Sequence, residues 1–507
     1  MPVPQWLRRG SSFAKNTFGR STRARRGLAA CAVVLAAGGL VLFRAPHGVG
    51  ATPSIPQVIP QVAPEPELPK LPISPTITGA NSATFSGPGA HGSLALSHSK
   101  VLSDGRQPLY AELQVRADKE DQKGVHAPLS IAVVLDTSGS MSGDKIEQAK
   151  EAVIKLIRQM DDADELAVIR YSDEASTVMP LGRVSEVRAQ AIARVKNLEA
   201  DGGTAIPRGL ALGLGQVGTR SSERVRRVIL VSDGLDSTRA QAERLAANSF
   251  ERGIVVSSLG IGLDFDEGYM SSVASRGHGN FGFVKDAPAL ATFLKRELDE
   301  TAKTVVENAT VRITLPQGVT FQRASGADAR TVGSGEIELK LGSLFSGDER
   351  RVLIEMESNR PEVRDAMKFL ANAAWDRVGG EHANVDVAPL TVVATNDPAE
   401  VEKGRDPTVL ASAASVLASR RQMEAAEAYN RGDVRKAEAL ADESISNLQA
   451  AASAAPAPVA AALAAQQTSY KHAKSGFRSF AAGSSEAKEL SKSVVQDEAR
   501  NMARKAY

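Results

Sequence analysis

Between residues 128 and 300, apolar stretches of strand length alternate with amphipathic stretches of helical length, and no other feature narrows the fold as much. SIAVVLD (130–136), RRVILV (226–231) and IVVSSLGIG (254–262) lack the apolar–polar alternation of a strand with one wet face. Such strands are buried on both faces, which requires helices above and below a mostly parallel sheet. The intervening segments supply those helices: KIEQAKEAVIKLIRQM (145–160), SEVRAQAIARVKNL (185–198), PRGLALGLGQV (207–217), TRAQAERLAANSFERG (238–253), DEGYMSSVASRG (266–277) and APALATFLKRELDETAKT (287–304). The pattern predicts a doubly wound α/β domain over 128–302. EASTVMP is expected as a short edge strand beside DELAVIRYS.

The flanks read differently. SLALSHSKVL and PLYAELQVRA, before the block, alternate apolar and polar residues. So do NATVRITLPQGVTFQRA, EIELKLGSLFSGDERRVLIEMES and VDVAPLTVVAT after it, with Pro-Gln-Gly and Ser-Gly-Asp turns between strands. The simplest topology inserts the α/β block into a small antiparallel β-sandwich made of 91–127 and 303–396. Trp375 and Phe369 are expected in its core. Residues 399–450 read as a helical hairpin turning at Asn430–Asp433, and 451–507 as an Ala-rich hinge followed by a C-terminal helix. Arg431-Gly432-Asp433 spells an adhesion tripeptide, but at an inter-helix turn it is read as coincidence.

The N-terminus carries seven basic residues and no acidic one before the apolar run GLAACAVVLAAGGLVLF over 27–43. At 1.5 Å per residue this run reaches about 25 Å, the short end for a bilayer core of about 30 Å. The charge asymmetry predicts a cytoplasmic stretch 1–26, a transmembrane anchor 27–43 and everything beyond on the outside, as in a bacterial cell envelope protein of the inner membrane. A signal cleaved near Val49-Gly50-Ala51, giving a secreted or periplasmic protein, is the alternative. Prolines every few residues make 44–90 an extended linker. A net charge of +2 gives no concentrated basic face, so nucleic acid is not expected as a partner. The single cysteine, Cys31, excludes an intramolecular disulfide.

Chemistry concentrates on the turn leaving the first apolar strand, IAVVLDTSGSMSGDK (131–145). A phosphate-binding loop needs a lysine directly after its last glycine; here Asp144 follows Gly143. A serine nucleophile needs a base, and the block has one histidine, His278, placed near its far end. A hard metal ion fits better. In a doubly wound sheet, binding groups collect at the carboxyl ends of strands. Asp136, Ser138 and Ser140 leave the first strand, Thr204 lies in the DGGTAIP loop, and Asp233 ends the strand RRVILV. Two carboxylates and three hydroxyls suit Mg²⁺, or Mn²⁺ or Ca²⁺, and leave room for another ligand.

Asp-Thr-Ser-Gly-Ser, then threonine in a Gly-Gly-Thr loop, then Ser-Asp-Gly after an apolar strand, resembles the von Willebrand factor type A (VWA) domain over about 128–300. The resemblance implies a Rossmann-like sheet and a metal-ion-dependent adhesion site at Asp136, Ser138, Ser140, Thr204 and Asp233. It further implies that the hydroxyls touch the ion, that the aspartates act largely through water or hydrogen bonds, and that an Asp or Glu of a protein partner completes the coordination. The layout, with strand segments flanking the domain, is similar to exported bacterial members and to inter-alpha-trypsin inhibitor heavy chains. The expected function is non-enzymatic: a membrane-tethered, extracytoplasmic binding module. A scaffold or assembly factor of an envelope complex is the alternative, and a serine hydrolase using Ser138 or Ser140 a more distant one. Asp264, Asp266 and Glu267 are read as capping acids of the following helix rather than as a second cation site. DDADE (161–165) is read as a solvated turn and RSSERVRR (220–227) as a solvated loop before a strand, with a partner face as the alternative.

Overall fold

The computed structural model describes residues 81–119, 128–219, 224–233, 236–284, 287–359, 361–362, 366–481 and 483–503. The expected cytoplasmic segment, the membrane anchor at 27–43 and the linker as far as residue 80 lie outside these. No helix among the described residues is long and apolar enough to cross a membrane.

The chain enters through β1 (Ser82–Gly87), β2 (Ala90–Leu96), β3 (Lys100–Leu102) and β4 (Arg106–Ala117). It then builds the α/β block: β5 (Leu129–Asp136), α1 (Asp144–Gln159), β6 (Glu165–Tyr171), β7 (Ala175–Arg183), α2 (Val184–Lys196), α3 (Ile206–Val217), β8 (Val225–Ser232), α4 (Arg239–Phe250), β9 (Ile254–Ile261), α5 (Glu267–Arg276), β10 (His278–Val284) and α6 (Ala287–Ala302). The sheet order is β10-β9-β8-β5-β6-β7, parallel throughout except for the antiparallel edge strand β7. Every residue of β5 and β9 is buried. Ile131, Val133 and Leu135 face one helical layer, with Ile146, Val153 and Leu294; Ala132 and Val134 face the other, with Ile206, Leu210 and Tyr269. This two-sided burial is why the strands carry no polar alternation.

After α6 the chain returns to the sandwich with β11 (Thr304–Thr314), β12 (Val319–Ser325), β13 (Asp328–Val332), β14 (Glu336–Phe345), β15 (Glu349–Asn359), β16 (Ala366–Arg377) and β17 (His382–Thr395). Its sheets run β1-β2-β4-β15-β12 and β13-β14-β11-β16-β17-β3. Strands from both sides of the α/β block therefore share each sheet, and one core holding Leu94, Leu113, Val311, Ile354, Phe369 and Trp375 fills the space between.

The sandwich begins earlier than the sequence reading had it, because β1 lies inside the stretch assigned to the linker. The signal was present: Ala83 and Phe85 are buried, while Thr84 and Ser86, which alternate with them, are exposed. Pro88 also belongs to the wall, accepting a hydrogen bond from Trp375 Nε1 at 2.7 Å. The C-terminal region departs further. It comprises α7 (Pro398–Lys403), α8 (Pro407–Asn430), α9 (Val434–Ala454), α10 (Ala457–Ser479) and α11 (Ser485–Ala503). The expected Ala-rich hinge narrows to Ala455–Pro456, since prolines at the start of α10 fall where a helix has no amide partner to lose. One expected terminal helix is two.

These helices are not a separate appendage. Tyr429, Phe477, Val494 and Val495 join the core under α3, α4 and α5. Arg420 of α8 reaches Glu355 of β15 and donates to Ser325 Oγ at 3.1 Å. Asp433, at the Arg-Gly-Asp turn, caps α9 by accepting from Lys436 N at 3.1 Å. Asp266 caps α5 as expected, accepting from Tyr269 N at 2.8 Å.

Described residues in the two stretches read as solvated are in fact anchors. Asp164 is buried and accepts backbone amides of Leu129 and Asp161. Arg227 is buried against Glu297 at 2.7 Å, and Arg224 donates to the carbonyls of Leu129 and Ala163. Sequence composition marks such residues as polar without showing the buried backbone groups and charges they satisfy.

Candidate metal centre

The centre lies at the carboxyl ends of β5 and β8, where a doubly wound sheet gathers its binding groups. Asp136 is the last residue of β5 and is completely buried. One carboxylate oxygen accepts the backbone N–H of Ser138 at 2.8 Å, which folds the exit turn tightly. The other accepts from Ser232 Oγ at 2.6 Å and from Tyr171 OH at 3.3 Å. Tyr171 ends β6 directly opposite Asp136 in the parallel register. After Ser138 a single 3₁₀ turn (Gly139–Met141) drops Met141 into the core, and Gly143, at φ 78°, redirects the chain into α1. Only glycine takes that left-handed turn without strain.

The two serine hydroxyls meet here. Ser138 Oγ and Ser140 Oγ are 3.0 Å apart, and Ser140 Oγ donates to Asp233 Oδ1 at 2.8 Å. Asp233, buried at the end of β8, turns its second oxygen to the Nζ of Lys145 in the first turn of α1. Burial raises the pKa of Asp136, and the neighbouring Asp233 charge adds to the rise, against hydrogen bonds from Ser138 and Ser232 that lower it.

The third expected element lies alongside. Backbone bonds from Gly139 N to Gly202 O (2.9 Å) and from Asp201 N to Thr137 O (2.8 Å) tie the 201–205 loop to the exit turn. Gly202 takes φ 75°, and a β-carbon there would meet Asp173 Oδ2 at 2.5 Å. Asp173 in turn accepts Gly203 N at 3.0 Å. Thr204 is half-buried on this loop and makes no hydrogen bond to the other four side chains. Asp136, Ser138, Ser140 and Asp233 thus form one hydrogen-bonded cluster, with the Thr204 loop pinned beside it.

Sequence reasoning missed Lys145, Tyr171, Ser232 and Asp173. Tyr171 and Ser232 could have been inferred from their places at the ends of the strands flanking β5; Lys145 carried no signal beyond its position in the first helical turn. His278, the one histidine of the block, stacks on Phe250 with ring centroids 3.6 Å apart and touches neither serine hydroxyl.

Whether these residues suit a divalent ion can be judged from the donors themselves. They are all oxygen, clustered within hydrogen-bond distance, with two buried carboxylates balanced by a single ammonium. Among the described residues no group of three or more His, Cys, Asp and Glu converges, so any ion here relies on hydroxyls, water and an outside ligand to fill its shell. Lys145 occupies Asp233 as a cation would, and the donor set fits.

Residues 130–296 match the von Willebrand factor type A domain family. An uncharacterized protein of Synechocystis sp. is 29% identical over 266 residues, covering 50% of this chain and 61% of that one. Human inter-alpha-trypsin inhibitor heavy chain H3 is 29% identical over 164 residues, covering 30% of this chain and 18% of that one. The chain therefore spans less than two thirds of either relative. Among solved structures, a von Willebrand factor type A protein from Catenulispora acidiphila superposes with a TM-score of 0.61 at 20% identity, over 78% of this chain and 91% of that one, a likeness of fold. Residues 130–296 form a von Willebrand factor type A domain.

Proposed function

We propose that this chain is a non-enzymatic binding protein that captures an acidic residue of a protein partner through a divalent ion. VWA domains typically mediate protein interaction or adhesion through such an ion, and the match over 130–296 brings that expectation to this chain. The observation that carries the reading is the cluster at Ser138, Ser140 and Asp233, where two hydroxyls and a buried carboxylate face one another under a lysine ammonium. Ser138, Ser140 and Thr204 would be direct ligands; Asp136 and Asp233 would orient water and hydroxyls around them.

When bound, the ion supplies an electrophilic point with an open position that a partner carboxylate fills. The residues of the chain do the rest. Asp136 fixes the turn through Ser138 N, Tyr171 and Ser232 fix Asp136, and Gly202 holds the Thr204 loop against Gly139. Such preorganisation keeps the ordering cost of capture low. The basic, apolar and proline-rich N-terminal sequence supports an anchored head held outside the cytoplasm of a bacterial cell, by the charge rule for membrane insertion.

The test is capture from membrane-envelope extract with the full chain as bait. Proteins recovered in Mg²⁺ should be lost both in chelator and with Thr204→Ala. Recovery unchanged by both would refute metal-mediated capture.

A further inference from the structure

A second site lies away from the metal cleft, where the three parts of the molecule meet. A cavity of about 600 Å³ opens between α5 and the start of β10, the β12–β13 connection with β15, and helices α8 and α11. Arginines reach its lining from five separate elements: Arg239 from α4, Arg276 from α5, Arg323 from β12, Arg350 from β15 and Arg500 from α11.

These guanidiniums are unevenly satisfied. Arg350 is nine-tenths buried; its Nη2 is held by Ser343 O at 3.2 Å and Asp348 at 3.1 Å, while its Nε has no hydrogen-bond partner. A buried donor left unmatched is costly, and a ligand that meets it removes that cost. Arg276 and Arg500 reach their acids, Asp328 and Asp497, only at 3.9 Å each. Arg323 is exposed and makes no ion pair among the described residues. Of the two acids on the lining, Asp328 and Glu427, the second is drawn outward to Arg431 at 3.7 Å. The same lining carries the apolar side chains of Phe281, Phe321, Met423 and Met502.

A cavity of this size, lined by both cationic and apolar side chains, has the dimensions of a small-molecule site. Guanidinium is also the side chain best shaped to grip a carboxylate or phosphate in two-point contact. We propose that this junction cavity binds a small organic anion, its acidic head on Arg323, Arg350 and Arg500 and its apolar body against Phe281, Phe321 and Met423. Because the walls come from the VWA domain, the sandwich and the helical tail, the bound anion ties the three together. None of the lining residues belongs to the metal cleft, so the site stands independently of the metal reading.

The test is calorimetric titration of the full chain with phenyl phosphate and, separately, phenylacetate, with uncharged benzyl alcohol as the control. At least one anion should bind saturably while benzyl alcohol does not, and the tighter of the two identifies the head group. Arg323→Gln and Arg500→Gln should each weaken binding at least tenfold. Met423→Trp, which fills the apolar end, should abolish it, and Asp233→Asn should leave it unchanged. Failure of both anions to bind the wild type at millimolar concentration would overturn the proposal. So would binding that survives both arginine changes and Met423→Trp.

Discussion

Lys145→Met is the most informative single change at the candidate metal centre. Lys145 Nζ contacts Asp233 Oδ2; the carboxylate is fully buried and the lysine side chain about a third exposed, at 31%. An ion held on the serine hydroxyls beside Asp233 competes with that ammonium for the carboxylate's charge and is repelled by it. Two unit charges about 4 Å apart interact by about 4 kcal/mol at an effective dielectric of 20. Much of this is regained, because the lysine keeps part of its hydration and can swing toward solvent. A residual competition of about 1–2 kcal/mol corresponds to roughly 5–30-fold in affinity. Lys145→Met should therefore bind Mn²⁺ about tenfold more tightly by calorimetry. The metal-free variant should be less stable, because Asp233 is then buried beside Asp136 without a counter-charge, and Mn²⁺ should raise its melting temperature by more than it raises that of the wild type. Equal or weaker Mn²⁺ affinity in a variant with wild-type circular dichroism would refute the competition. Lys145 would then be orienting Asp233 rather than standing in for an ion.

Other predictions concern what supports the site and the tail. Gly209→Ala would place a β-carbon 2.5 Å from a ring carbon of Tyr171; it should cost about 1–3 kcal/mol in denaturant unfolding and, by moving the phenol that bonds Asp136, weaken Mn²⁺ binding as well. Arg227→Met leaves Glu297 buried without its cation, so unfolding should be easier by about 3 kcal/mol, and the double change with Glu297→Gln should recover part of the loss. In the tail, burial pushes Glu498 up to about 8 from its ordinary 4.5, with Tyr470 OH donating to it at 2.8 Å. Between those two values the folded state holds a proton that the unfolded state releases, so stability falls as pH rises through this window. The loss by pH 7 is on the order of 3 kcal/mol. Glu498→Gln should flatten the decline of melting temperature between pH 5 and pH 8; an unchanged slope would show that Glu498 does not carry it.

The parts of the fold legible in sequence were those where one physical requirement dominates. Strands buried on both faces have to be apolar throughout, so β5, β8 and β9 announced a parallel sheet. The candidate site residues stood out because each stands at a strand end or in a glycine-rich loop, where the topology gathers binding groups. What stayed hidden depended on contacts distant in sequence. Tyr171 reads as one more aromatic core residue until the register sets it opposite Asp136. Lys145 reads as a helix-surface lysine until α1 swings it over Asp233. Arg227 and Asp164 look solvated until their buried partners are seen. The tail misled for a similar reason. Its alanines and prolines are ambiguous alone, and Phe477 and Val494 show their purpose only against the core beneath α5.

The claim that this cluster holds a divalent ion is tested most directly by titrating Mn²⁺ into the full chain by calorimetry, beside Asp233→Asn and Ser140→Ala. One saturable site in the wild type, lost in Asp233→Asn and weakened at least tenfold in Ser140→Ala, is the predicted result. Equal binding in all three proteins, or none in the wild type at millimolar Mn²⁺, would contradict it.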